Sequence, residues 1–328
     1  MAIRRLEVRP MEPADADACA GLWSSRFRRV MGVDDAAPVP TTWLTEPSRV
    51  RRFIAERVDG GLTLTAGGDI AGYLVADRFR FHGRAAAFCP VLSHSVVPEH
   101  CEWGYRMLYR EASAAWVFDG ILDHYITIMD GDHSAMALFF DLGFGRYVID
   151  AYRRATPFQI ADPGACRVRR VGVEALSEVR SLMDLAVAFF REAPLFLVQQ
   201  PDSQETLREL LEDDANAVFI ADVAGTSVGL MNVRLPDTED PISLCDRKTG
   251  RLDPLGAFIR REYRNRGIGE TLLRACIDWC IDGGAEVLHV DYEGANLYAA
   301  GFWIKHFHPA LVSLKRSIHP DIVQPGAD

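Results

Sequence analysis

The stretch Arg264-Asn265-Arg266-Gly267-Ile268-Gly269-Glu270-Thr271 decides how the rest of the chain is read. It follows a short apolar run with strand character, Leu255-Gly256-Ala257-Phe258-Ile259. It opens a segment, Gly267 to Ile281, whose Leu272, Leu273, Cys276, Ile277 and Cys280 recur at helical spacing. Glycines at a strand-to-helix junction let the backbone approach a ligand closely, and the first N–H groups of a helix have no acceptor of their own. The helix dipole and the two flanking arginines add attraction for negative charge. The stretch reads as a cradle for a diphosphate. A glycine pair before a helix also serves ordinary tight turns, so a second element has to decide between the two uses.

Working outward, the order strand hairpin, long strand, loop, helix, strand, short helix, strand occurs twice. The hairpins are Leu62–Thr65 with Ile70–Val75 around Gly67-Gly68, and Ala217–Asp222 with Ser227–Val233 around Ala224-Gly225-Thr226. The helices are Tyr105–Asp119 and Gly267–Ile281, the following strands Tyr125–Met129 and Val287–Val290, and the short helices Ser134–Leu142 and Asn296–Lys305. Each copy is preceded by a helical region, Asp15–Val30 and Glu174–Phe190. The segment Ala155–Ala165, with Pro157, Asp162, Pro163 and Gly164, has linker chemistry. The expected division is therefore a first domain over 1–155, a linker over 156–165 and a second domain over 166–328. Both halves are α/β, each with a mixed, mostly antiparallel sheet flanked by helices.

Arg264, Gly267 and Gly269, followed by Asn296, Ala299, Phe302 and Trp303, resemble the GNAT superfamily of acetyl-CoA-dependent N-acetyltransferases, with its R-x-x-G-x-G loop and later N-x-x-A plus aromatic. The resemblance covers most of Val168–Lys315. It implies that acetyl-CoA is held by Arg264, Asn265, Arg266, Gly267, Ile268, Gly269 and Thr271, with Asn296 in the second motif. It also implies that the pantetheine arm lies along the strand ending in Phe258-Ile259, where a backbone N–H polarises the thioester carbonyl, and that the neighbouring strands splay to admit it. The tyrosine that commonly protonates the departing thiolate in this family is replaced here by Trp303, which does not ionise but whose indole N–H can steady a sulfur anion without protonating it. Two readings stay open: catalysis by positioning alone, or another acid such as Tyr292 or Tyr298. For the base, Asp253, Asp291 and Glu293 are candidates, and His289 shares a strand face with Asp291. Asp291 and Glu293 rank first. An acceptor pocket in this superfamily would include Phe189-Phe190-Arg191-Glu192 and Pro194-Leu195-Phe196.

In the first half the same loop has decayed. Cys101, Glu102 and Trp103 stand where Arg264, Asn265 and Arg266 do, Gly104 matches Gly267, Arg106 replaces Gly269, and Phe139 falls at the place of Trp303. A carboxylate at Glu102 repels a diphosphate, so this copy is expected to be scaffold or one wall of a pocket. The composition limits the function classes further. The 328 residues are 48% hydrophobic and 25% charged, as in folded proteins, and the formal charge of -10 argues against a nucleic-acid partner. No apolar run approaches a membrane span or a signal peptide. Seven cysteines without regular spacing suit a reducing, cytoplasmic setting, and no second ligand pair joins Cys276 and Cys280 in a metal site. The expectation is a monomeric or homodimeric N-acetyltransferase acting on a small-molecule or peptide amine. A catalytically silent acyl-CoA-binding module or sensor is the alternative.

Overall fold

The chain opens with a strand, β1 (Leu6–Pro10), and a helix, α1 (Ala16–Met31), whose Cys19, Ala20, Trp23 and Phe27 form one buried stripe. The structure, a computed structural model, describes residues 5–32, 38–40, 42–81, 83–157, 160 and 166–323. Most of the expected linker, including Asp162, Pro163 and Gly164, lies outside the described residues.

After α1 come α2 (Thr42–Thr45), α3 (Pro47–Ala55), β2 (Leu62–Ala66), β3 (Asp69–Leu74), β4 (Asp77–Phe81), β5 (Arg84–Cys89) and β6 (His94–Val96). They lead into α4 (Cys101–Phe118), β7 (Asp123–Met129), α5 (His133–Asp141) and β8 (Gly145–Arg154). The same series then repeats: β9 (Arg167–Val171), α6 (Leu176–Phe190), α7 (Gln204–Glu212), β10 (Asn216–Val223), β11 (Thr226–Arg234), β12 (Thr249–Arg251), β13 (Ala257–Ile259), α8 (Ile268–Asp282), β14 (Val287–Glu293), α9 (Leu297–His306) and β15 (His308–Ser317). The hairpin turns use the chemistry their sequences offer. Gly67 and Gly68 have φ of 64° and 96°, and Ala224 and Gly225 have φ of 49° and 80°.

Two compact units result. Unit 1 holds Met1–Asp150, Asp240–Leu244 and Pro309–Asp328, and unit 2 holds Ala151–Glu239 and Cys245–His308. The division departs from the expected one because the last strand of the second repeat is not kept with its own copy. β15 pairs antiparallel with β7, from Leu311 opposite Met129 to Ser317 opposite Asp123, and its Val312 and Leu314 lie in the unit 1 core beside Ile126 and Ile128. Residues 240–244 also belong to unit 1, where the Trp43 indole donates to the Leu244 carbonyl at 2.9 Å. Sequence periodicity carries no information about which β partner a final strand selects, so this exchange was invisible to it.

Within each unit one feature recurs at matching positions. In unit 1, β5 runs parallel to β7 through Cys89 opposite Ile126, and the chain then leaves that partner so that β6 pairs with β3. In unit 2, β12 runs parallel to β14 from Thr249 opposite Val287 to Arg251 opposite His289, and β13 then pairs with β11 instead. The crossing residues of unit 2 are held by buried Asn232, whose Oδ1 accepts from the Leu255 N–H. The apolar floor beneath is built from Val179, Leu182 and Ala186 of α6 with Val218, Ile220, Leu230 and Phe258 of the sheet.

A chain that ends at Thr156 lacks β15, leaving the edge of β7 unpaired and the places of Val312 and Leu314 empty, which costs several kcal/mol at about 1.5–3 kcal/mol per buried aliphatic side chain. It is expected to aggregate in size-exclusion chromatography. Appending residues 305–323 through a flexible linker is expected to restore a monodisperse, cooperatively unfolding species. A soluble, cooperatively unfolding 1–156 fragment would count against the pairing.

Candidate active site

β13 offers one edge to β11 and keeps the other. The Arg260 N–H donates to the Val228 carbonyl and the Asn232 N–H to the Gly256 carbonyl, each at 2.9 Å. In a ladder of this kind the polar groups of successive residues alternate between edges, so Phe258 also faces β11. The groups of Ala257 and Ile259 therefore point the opposite way, and among the described residues β13 has no strand partner on that side. Of the two residues expected to polarise a thioester, Ile259 has its N–H on the free edge, and Phe258 faces β11.

From this edge the chain passes through a short 3-10 turn, Arg261–Tyr263, to the loop. Asn265 and Gly267 take left-handed φ of 60° and 74°, and Gly267 caps α8. The first intrahelical bond runs from the Thr271 N–H to the Gly267 carbonyl. The N–H groups of Ile268, Gly269 and Glu270 are thus left without intrahelical acceptors at the positive end of the helix dipole. A Cβ on Gly269 would meet Phe302 Cε2 at 3.1 Å and Ile259 Cδ1 at 3.4 Å, so this glycine keeps α8 close to β13. The loop singled out in the sequence thus ends in a helix start with three N–H groups open.

Its side chains behave differently from expectation. The Thr271 hydroxyl donates back to the Gly267 carbonyl. The Asn296 side-chain oxygen accepts from the Ala299 N–H at 3.2 Å, capping α9, and is not offered outward. Arg266 is exposed, with its guanidinium over the Tyr263 ring. Arg264 folds inward: its Nε donates to the Ile259 carbonyl, and its guanidinium lies against the rings of Phe189 and Tyr298.

The acid–base candidates also separate. Asp291 is exposed and Glu293 half-buried, two residues apart on one face of β14. Burial, reinforced by the nearby Asp291 charge, raises the Glu293 carboxyl above its ordinary value. His289 is buried against the Tyr152 ring, and Tyr292 is buried on the opposite face of the strand. Asp253 is held by Arg234 and Arg251, which makes it an ion-pair partner. Trp303 is buried, with its ring packed on Phe302 and Phe307 at 4.8 and 5.4 Å between centroids, which is core packing. Tyr298 remains 52% exposed at the start of α9. Sequence reasoning named Phe302 in the second motif and Phe189 in the acceptor pocket, and the structure places Phe302 against Gly269 and Phe189 against Arg264.

Residues 179–308 match the model of the Acetyltransferase (GNAT) family. The chain carries a GNAT acetyltransferase domain. The fold of the whole chain is similar to the crystal structure of a GCN5-related N-acetyltransferase from Sphaerobacter thermophilus, with a TM-score of 0.61 and 17% identity over 98% of this chain and 97% of that one. It is also similar to a glucosamine N-acetyltransferase region of a fungal multi-domain GH3 β-N-acetylglucosaminidase, with a TM-score of 0.57 and 13% identity over 96% of this chain and 38% of that one. At such identities the likeness is one of fold. No curated protein sequence matches the chain.

Unit 1 repeats the GNAT frame and closes its wedge with side chains. His94, first residue of β6, stands where Ala257 opens β13, and Arg26, eleventh in α1, stands where Ala186 is eleventh in α6. The His94 Nε2 reaches the Thr127 carbonyl on β7 at 2.8 Å, bridging the two strands that diverge. That carbonyl accepts only, so Nε2 carries the proton and Nδ1 accepts from Arg26 Nη1 at 3.1 Å. Burial, with the Arg26 charge, pushes His94 down to about 3, so it stays neutral. Arg26, fully buried, donates through Nε to Asp132 at 2.7 Å. The loop has gone as well, because α4 begins at Cys101, one turn earlier than α8 begins in its copy. Gly104 there packs against Leu64 and Val96, and Arg106 pairs with Asp141 at 3.2 Å.

Breaking this buried pair from one side leaves a charge unmatched. Arg26→Met is expected to lower stability by about 3 kcal/mol in urea denaturation, and Arg26→Met with Asp132→Asn to recover most of it, because Asn still caps α5. Burial disfavours the ionised Asp132, yet Arg26 more than offsets it and keeps the carboxyl below its usual range. Its contribution is therefore complete above about pH 4 and lost as the pH falls through the lowered folded value. An unchanged urea midpoint in Arg26→Met would remove the brace from this account.

Proposed function

We propose that unit 2 binds acetyl-CoA and transfers its acetyl group to a primary amine of a small molecule or peptide by direct attack, and that unit 1 does not bind the coenzyme. The observation that carries this reading is the free edge of β13 leading directly into uncapped helix N–H groups, while the same place in unit 1 is filled by Arg26 and His94. The residues fit the coenzyme. An edge strand suits an extended pantetheine arm, and a helix start with a left-handed glycine suits a diphosphate.

Acetyl-CoA, when bound, supplies a thioester already activated toward amines. The chain's part is to place and polarise it. The Ile259 N–H is aimed where carbonyl negative charge develops. Glu293, raised by burial, is the base that accepts the amine proton, directly or through a water, and Asp291 at the exposed end of the same face attracts a cationic amine. A thiol of pKa about 8.5 departs as thiolate near neutrality, so no proton donor at the position of Trp303 is required. The burial of Trp303 also favours a second reading, a coenzyme-binding sensor without turnover.

Calorimetry on the full chain is expected to give one acetyl-CoA per chain, with binding abolished by Gly267→Glu, which forces a side chain onto a left-handed residue in the cradle. Equal affinity in both proteins would end the proposal. Thiol release above hydrolysis in the presence of an amine panel separates enzyme from sensor. In an active enzyme the rate should fall as the pH drops through the Glu293 value, which lies above the ordinary carboxyl value of about 4.3, and Glu293→Gln should remove that limb of the profile. A limb unchanged in Glu293→Gln would assign the base elsewhere.

A further inference from the structure

Arg264 is placed by the sequence among the ligands of the diphosphate, yet its side chain turns away from the helix start. Nε is 2.9 Å from the Ile259 carbonyl oxygen. The guanidinium carbon lies 4.6 Å from the Phe189 ring centre and 4.5 Å from that of Tyr298, with Phe258 at 5.9 Å. Nη1 is buried and without a hydrogen-bond partner. Burial lowers the guanidinium pKa while leaving it a cation. A cation held beside two aromatic rings, whose own centroids lie 6.1 Å apart with planes tilted at 57°, is attracted by both, and the guanidinium adds an Nε donor that an ammonium lacks.

The partners give this contact a consequence. Ile259 presents both its carbonyl and its N–H on the free edge of β13, and that N–H is the proposed polarising donor. A guanidinium that occupies the carbonyl fixes the backbone of this residue and engages an acceptor beside the donor. Phe189 lies in the last turn of α6 and Tyr298 in the first turn of α9, so the same side chain ties both helices to β13. We propose that Arg264 is a positioning residue that sets the direction of the Ile259 N–H toward the thioester carbonyl, and not a ligand of the coenzyme's phosphates. This rests on the reading of unit 2 as the acetyl-CoA site.

The test uses the full chain, calorimetry with CoA at several salt concentrations, and the 13C signal of bound acetyl-CoA labelled at the thioester carbonyl. Arg264→Lys keeps the charge but loses the Nε contact to the Ile259 carbonyl, whereas Arg264→Met loses the charge as well. Both variants are expected to bind CoA within about threefold of wild type with an unchanged salt dependence, because no phosphate contact is lost. In both, the carbonyl signal of bound acetyl-CoA should move toward that of the free thioester. Arg266→Ala, exposed beside the loop, should instead weaken binding about tenfold and flatten the salt dependence. Normal binding by Arg264→Lys with about tenfold loss and a shallower salt slope in Arg264→Met would make Arg264 a phosphate ligand and overturn the proposal. So would an unshifted carbonyl signal in Arg264→Lys. Wild-type protein that binds no coenzyme removes the acetyl-CoA reading itself, an outcome distinct from either.

Discussion

The structure depends on a strand that changes partner. Thr249–Arg251 pairs in parallel with β14, and three residues of β13 then pair with β11, so two neighbouring strands diverge and a row of backbone groups is left facing an opening. Unpaired peptide groups are costly when shielded from water and attract any extended chain that reaches them. A protein with such an opening has two stable choices, to keep it for a ligand that supplies the missing bonds or to fill it from within. In unit 1 it is filled by Arg26 and His94, and in unit 2 the edge of β13 stays open.

Filling from within demands a matched set. Arg26 needs Asp132 as counter-charge, His94 must stay neutral to accept from Arg26 while donating to Thr127, and the Tyr105 hydroxyl lies 3.0 Å from the same His94 nitrogen. Removing one member strands another, which makes the closed wedge all-or-none. The open wedge has smaller demands. It needs small residues at Ala257 and Ala186, a glycine at 269 that lets α8 approach β13, and a helix start clear of side chains.

Much of this frame is legible in the amino-acid order, because the signals are local. Paired positive-φ residues at 67–68 and 224–225 announce the hairpins, apolar spacing announces the helices, and the glycines at 267 and 269 locate the cradle. What is not legible depends on contacts distant in sequence. Nothing in Pro309–Ser317 says that it pairs with Asp123–Met129, and nothing around Arg26 says that its charge is buried beside residues 94 and 132. Arg264 shows the limit most clearly. A basic residue at the mouth of an anion site is read by charge, but two aromatic rings and one carbonyl within reach give its planar cation a better-matched place than open solvent. Trp303 was read by its place in a motif, and packing against Phe302 and Phe307 decided its surroundings.

The helix caps show how charge follows from this choice. Asp132 and Asn296 do the same local work, each accepting from the N–H three residues on at 3.2 Å. A cap requires an oxygen, not a charge, so either residue serves the helix equally well. Their surroundings differ in charge, since Arg26 faces Asp132 and Ala186 stands at the matching place in unit 2. With Arg26 in α1, a carboxylate at 132 is matched and stays ionised although buried; with Ala186 in α6, a carboxylate at 296 would be buried without a cation and would favour its neutral form. A neutral amide at 296 also adds no negative charge to a unit whose free helix N–H groups suit an anion. The identity of the cap in each copy is thus set by whether its wedge holds an internal cation.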